Sequence, residues 1–151
     1  MAKFEDHLNQ ARSNLKFLEV VNEKAFEFID WQVTVCFYTS LHLINAHLAK
    51  HQLQYRSHTD VKNAINPKNP FAVSKLQENE YVAYVTLQML SRRSRYLVQE
   101  KDSNIDSDQV FLTYEKHLSK ALRHLDCLIS YFNQNYSAGI PKATIRCDLI
   151  K

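Results

Sequence analysis

Residues 30–58 read DWQVTVCFYTSLHLINAHLAKHQLQYRSH. Val33, Phe37, Leu41, Ile44 and Leu48 recur at the three- and four-residue intervals that put side chains on one face of an α-helix. Asp30 suits an N-cap, so a helix is predicted from Asp30 to about Lys50. The stretch also carries four histidines, and one of them, His42, sits midway along its most apolar part. Trp31, Val35, Tyr38, His42 and Asn45 form a second stripe beside the apolar one. Tyr38, one turn before His42, is therefore expected to touch that ring and hold it at the boundary of the core. An imidazole so placed is either a hydrogen-bonded structural residue or a group for proton transfer or ligand contact.

Outward from this stretch the same period continues. Phe4, Leu8, Ala11, Leu15 and Leu18 predict a first helix over about residues 3 to 23, and Asn22-Glu23-Lys24 weakens the pattern before Asp30. Ser57 is an N-cap candidate for a short helix to about Ile65, which NPKNP at 66–70 terminates because proline lacks the amide donor and restrains the residue before it. A long helix is predicted from about Ser74 to Leu97 on the face Ala83, Leu87, Leu90, Ser94 and Leu97. After QEKDSNIDSD, Ser107 or Asp108 is expected to cap a last helix to about Asn135, striped by Phe111, Tyr114, Leu118, Ala121, Leu125, Leu128 and Phe132. Four helices of about 20 residues span about 30 Å each, and burying one apolar stripe from each gives an all-α, up-and-down four-helix bundle with an additional short helix. The domain is placed at residues 1–136, with an irregular tail over 137–151 that shows no clear period.

Composition agrees. The chain has 151 residues with one glycine, Gly139, and three prolines, so the punctuation that strands and tight turns require is nearly absent. A single domain of this length buries about 68–70% of its unfolded surface and folds without staples. Cys36, Cys127 and Cys147 have no CxxC spacing, and an odd count without a recognisable signal peptide reads as a reducing, cytoplasmic setting. Thr34, His42, Asn45 and His47 interrupt the best apolar run well short of the roughly 18 residues that span a bilayer, so no membrane segment is expected.

The formal charge of +3 is mild, but its distribution is uneven. Between His42 and Lys75, Lys50, Arg56, Lys62, Lys68 and Lys75 are set against one acid, Asp60, while Arg92, Arg93 and Arg95 form a second cluster. Together these would make an anion-attracting surface; separately they are a solvated rim. Tyr81, Tyr84, Gln88, Arg92 and Arg95 fall on a common side of the long helix. Two guanidiniums one turn apart repel unless a carboxylate or phosphate lies between them, and Tyr84 and Tyr81 could stack on a base. The alternative is a structural network in which Arg92 and Arg95 pair with Asp30, Glu80 or Glu100.

The run from Asp30 to His58, followed by LSRRSRY at 90–96, resembles the HEPN (higher eukaryotes and prokaryotes nucleotide-binding) superfamily. The matching features are Asp30-Trp31 opening a helix, Phe37 and Tyr38 with His42, Ser57-His58 opening the next helix, and Ser91, Arg92, Arg95 and Tyr96 closing a later one. Counting helix order, the resemblance spans roughly residues 4 to 132. It implies a helical bundle, expected here as a homodimer. It also implies RNA or nucleotide binding, in some members metal-independent RNA cleavage in toxin-antitoxin or antiviral systems, with an antitoxin or nucleotidyltransferase-like partner. The superfamily's catalytic Arg-x4–6-His pattern does not occur in this chain.

Metal-free cleavage needs a base for the 2′-OH, cationic donors for the phosphorane and an acid for the leaving oxygen. His42 or His58 are the candidate proton-transfer groups, with Tyr38 orienting the phosphate; Arg92, Arg95, Arg56, Tyr96 and Tyr84 are the candidate substrate-binding residues. His47 and His51 lie one turn apart but have no acidic or cysteine ligand nearby in sequence, so no metal and no cofactor is expected. One glycine excludes a Gly-rich phosphate loop, and no G-x-S-x-G exists for serine hydrolysis. Two functions of different class remain: a domain that binds RNA or a nucleotide, with or without cleaving it, and a non-catalytic dimerisation or partner-docking module.

Overall fold

A computed structural model of the chain describes residues 1–99 and 109–147. Among these residues there are five helices: α1 Phe4–Lys24, α2 Ile29–Lys50, α3 His58–Ile65, α4 Glu78–Tyr96 and α5 Glu115–Tyr136. The protein is all-α, as its periodicity predicts.

α1 starts where Asp6 accepts from the Lys3 amide (2.7 Å), and Glu5 and Asp6 in the first turn complement the positive end of its dipole. It buries Leu8, Ala11, Leu15 and Leu18 against α2. α2 begins one residue earlier than expected. Phe28 occupies the N-cap position, and Asp30 lies inside the first turn rather than capping it. Ser57 does cap α3, accepting from the Asp60 amide at 3.1 Å.

Two starts differ from the sequence reading for a common reason. α4 begins at Glu78, not Ser74, because Ser74 is used elsewhere: its hydroxyl donates to the Ala64 carbonyl (2.7 Å) and Leu76 N–H to the Ile65 carbonyl (3.0 Å), tying 66–77 back onto α3. α5 begins at Glu115; the expected caps Ser107 and Asp108 lie outside the described residues. Residues 111–113 are instead pinned to the end of α4, through Phe111 N–H to Leu97 O (3.0 Å), Arg93 Nε to Leu112 O (2.7 Å) and Ser94 to Thr113 (3.0 Å). Bonds to another element leave these backbones unable to continue a helix.

α2 is the centre of the molecule and packs on α1, α4 and α5, while α4 also packs on α5. Ring contacts give the directions. Phe4 meets Tyr136, His47 meets Phe132 and Tyr136, and Arg95 at the end of α4 reaches the first half of α2. Successive long helices therefore run up and down.

The tail packs against the bundle over residues 137–147. It leaves α5 through Ser137 (φ 50°) and runs in an extended path beside α1, with Arg12 donating to Ala138 O (2.8 Å), Glu19 accepting from Thr144 N–H (3.0 Å) and Asn22 bonded both ways to the Arg146 backbone. Along α5 it is held by Asn133, which both donates to and accepts from the Ile140 backbone. Ala138, Ile140 and Cys147 are buried, so the tail fills the space between α1 and α5.

Candidate anion-binding site

On α2 every position is buried or half-buried except Trp31 and Lys50. Trp31, Val35, Tyr38, His42 and Asn45 make a stripe that reaches solvent. The central position of α2 leaves few of its polar residues accessible, Tyr38, His42 and Asn45 along this line and Asp30 and Lys50 at its two ends.

At one end of the stripe, α4 supplies Arg95. Its Nε donates to Ser91 Oγ (3.0 Å), and its Nη1 donates to Tyr38 Oη (3.3 Å) and Tyr96 Oη (3.5 Å). The guanidinium lies 5.0 Å from the Tyr96 ring centroid, 5.8 Å from Tyr38 and 6.0 Å from Phe37. Cations over aromatic faces at such distances are attracted by the ring quadrupole. His58, the first residue of α3, stacks tilted on Phe37 with centroids 5.6 Å apart. Partial burial and the positive charge of Arg95 both lower the His58 pKa from its ordinary value of 6.5, which keeps the ring neutral at neutral pH, with one nitrogen free of its proton. Tyr38, His58, Arg95 and Tyr96, from three different helices, thus share one locality. Among the described residues no carboxylate lies within ion-pairing distance of Arg95.

No family model, curated protein or solved structure matches this chain. The chemistry of the site must therefore be read from its own residues, and several expectations need correction. His42 has no hydrogen bond to Tyr38, whose hydroxyl accepts from Arg95. Its Nδ1 instead meets Nδ1 of His7 on α1 at 3.2 Å. One ring must be donor and the other acceptor, and burial lowers the pKa of both. Tyr84 cannot stack on a base: it is 0% exposed, packs on Phe37 (5.9 Å between centroids), and shares the face of Ala83 and Leu87 that closes onto the core. Arg92 is half-buried on α4 and makes no hydrogen bond or ion pair among the described residues; Arg56 is exposed in the loop before α3. The carboxylate partners considered for Arg92 and Arg95 do not engage them: Asp30 and Glu80 make no ion pair, and Glu100 lies outside the described residues.

His47 is structural. A carbonyl can only accept, so Nε2–H donates to Ser74 O (2.8 Å) and Nδ1 accepts from the Tyr136 hydroxyl. His51 lies edge-on to it at 4.9 Å, yet no three His, Cys, Asp or Glu side chains gather to hold a metal among the described residues. Two features escaped the sequence reading. His7 as partner of His42 carries no local signal, because the pairing is 35 residues apart. Asp30 and Trp31, read as a helix start, together with Thr34, Ser94 and Arg95 line a cavity of about 240 Å³.

Proposed function

We propose that the chain is a HEPN-like helical domain that binds single-stranded RNA or a nucleotide, with Arg95 as the phosphate-binding group. The observation that carries this reading is a guanidinium clamped by Tyr38, Tyr96 and Ser91, with no carboxylate within ion-pairing distance among the described residues and a neutral imidazole, His58, close at hand. A preorganised planar fork that no carboxylate ion-pairs among the described residues suits a phosphate. Tyr96, 62% exposed, and Trp31, 59% exposed, offer faces for base stacking. His58 has the protonation state of a base for a 2′-OH, and Arg95 would stabilise the phosphorane. Cleavage needs a second proton-transfer group at the leaving oxygen, and His42, one turn beyond Tyr38 on the same open stripe, is the candidate. Three free cysteines agree with work in a reducing cytoplasm.

The test is anisotropy of a labelled single-stranded RNA across a salt series. Arg95→Ala is expected to weaken binding about tenfold and to flatten the log–log salt slope by about 0.7, the share of one phosphate contact. Affinity and slope unchanged in a normally folded variant would remove the phosphate site.

A second reading has its own observation. Phe28, Trp31, Tyr96, Leu97, Val110, Leu112 and Tyr114 are exposed and lie where α2 begins, α4 ends and α5 begins. This end would dock a second copy of the chain or an antitoxin or nucleotidyltransferase-like subunit. Light scattering over a concentration series distinguishes a monomer from the homodimer.

A further inference from the structure

We infer that the cavity at the start of α2 selects guanine, an inference that rests on the nucleotide reading of Arg95 and names the base that goes with its phosphate. The cavity, about 240 Å³, lies below the range of about 300–1,000 Å³ that holds drug-sized ligands, and it suits one planar ring system. Its lining combines an indole, a carboxylate and a guanidinium from two helices: Trp31 and Asp30 of α2 and Arg95 of α4. Trp31, more than half exposed, presents a ring on which a base can stack.

Asp30 decides which base. It makes no ion pair among the described residues, and its bond within the helix uses its backbone carbonyl, which accepts from Thr34 Oγ1 at 2.8 Å. An ionised carboxylate only accepts hydrogen bonds, through two oxygens side by side. Among the four RNA bases only guanine presents two adjacent donors on its Watson–Crick edge, N1–H and the N2 amine. Cytosine and adenine offer one amine beside an acceptor, and uracil one N–H between two acceptors. A carboxylate therefore satisfies guanine twice and faces a lone pair on each of the others. Arg95, already turned toward the Tyr38 and Tyr96 hydroxyls, keeps the phosphate.

Trp31 is the only tryptophan in the chain, so quenching of its fluorescence reports the cavity directly. GMP, AMP, CMP and UMP are titrated into the full-length protein. GMP is expected to bind about tenfold or more tightly than the other three, and IMP, which lacks the N2 amine, to lose most of that advantage without any change to the protein. Asp30→Asn, checked for fold by circular dichroism, is expected to bring GMP to the level of AMP. An oligouridine carrying one guanine, compared with oligouridine alone, tells a guanine within RNA from a free nucleotide as the ligand. Equal binding of all four nucleotides, a preference for another base, or full retention of GMP affinity by IMP or Asp30→Asn overturns the guanine inference and leaves the nucleotide site standing. Absence of any nucleotide binding, with RNA anisotropy indifferent to Arg95→Ala, overturns both.

Discussion

Tyr84 and His47 show how one polar atom in the core is resolved in opposite ways. His47 is buried with both nitrogens bonded, whereas the Tyr84 hydroxyl is buried without a partner among the described residues and its pKa is pushed far up by burial. A buried polar group left unpaired costs about 1–3 kcal/mol in desolvation. Tyr84→Phe is therefore expected to leave stability unchanged or raise it by up to about 1 kcal/mol, read from the urea midpoint at constant slope. A loss of more than about 1 kcal/mol would mean that the hydroxyl has a partner after all. The sequence placed Tyr84 on the same side as Arg92 and Arg95, but a helical wheel cannot say where the core boundary falls. Tyr84 lies against Phe37 on the central helix; Arg95, eleven residues on, lies at the rim.

At the scale of elements, the polar caps that were legible are those satisfied within their own helix. Ser57 is the clearest, and Ser57→Ala is expected to cost about 1 kcal/mol by loss of the bond to the Asp60 amide. Thermal melts read this directly. Ser74 has the same chemistry and was expected to begin α4, yet its hydroxyl serves the end of α3. Local sequence does not reveal which of two helix ends a serine caps when the choice depends on how the chain returns. The tail makes the point again. Ala138, Ile140, Ala143, Ile145 and Cys147 are buried or half-buried while Gly139, Pro141, Thr144 and Arg146 are exposed, an alternation close to period two, interrupted at Lys142. The sequence shows no clear period here, because the segment packs on side chains of α1 and α5 rather than pairing with a strand. Asn133→Ala, which removes two bonds to the Ile140 backbone, is expected to cost about 1–3 kcal/mol and to speed hydrogen exchange at Ile140 and Arg146. Unchanged exchange would show the tail to be held by its bonds to α1 and its buried apolar residues without Asn133.

Over the whole molecule, burial lowers the pKa of His7, His42 and His47 below 6.5, in each case as the largest effect, with neighbouring charges and the Ser74 bond modifying it. An unfolded chain binds these protons more readily than the folded one. The resulting stability is complete above about pH 6.5 and is lost as pH falls from there through the lowered folded-state values. The melting temperature is expected to be flat from pH 8 to about 6.5 and then to fall, by about 2–4 °C for each kcal/mol. His47, the most buried, should dominate, since water screens the other two. His47→Gln should lower stability at pH 8 and flatten the slope between pH 6.5 and 5.5; an unaltered slope would move the titration elsewhere.

The sequence by itself determined the helices, their apolar faces and the all-α bundle, because a 3.6-residue period is written in neighbours along the chain. It also singled out Tyr38, His58, Arg95 and Tyr96 as candidates, since residue type and helical face are local properties. The tertiary structure alone decided that those four meet, that His42 turns to His7, that Tyr84 is sealed in the core and that Asp30 and Trp31 line a cavity with Arg95. Each of these depends on which helix packs against α2 and at what height, and that is set by contacts between residues tens of positions apart, which no local pattern encodes.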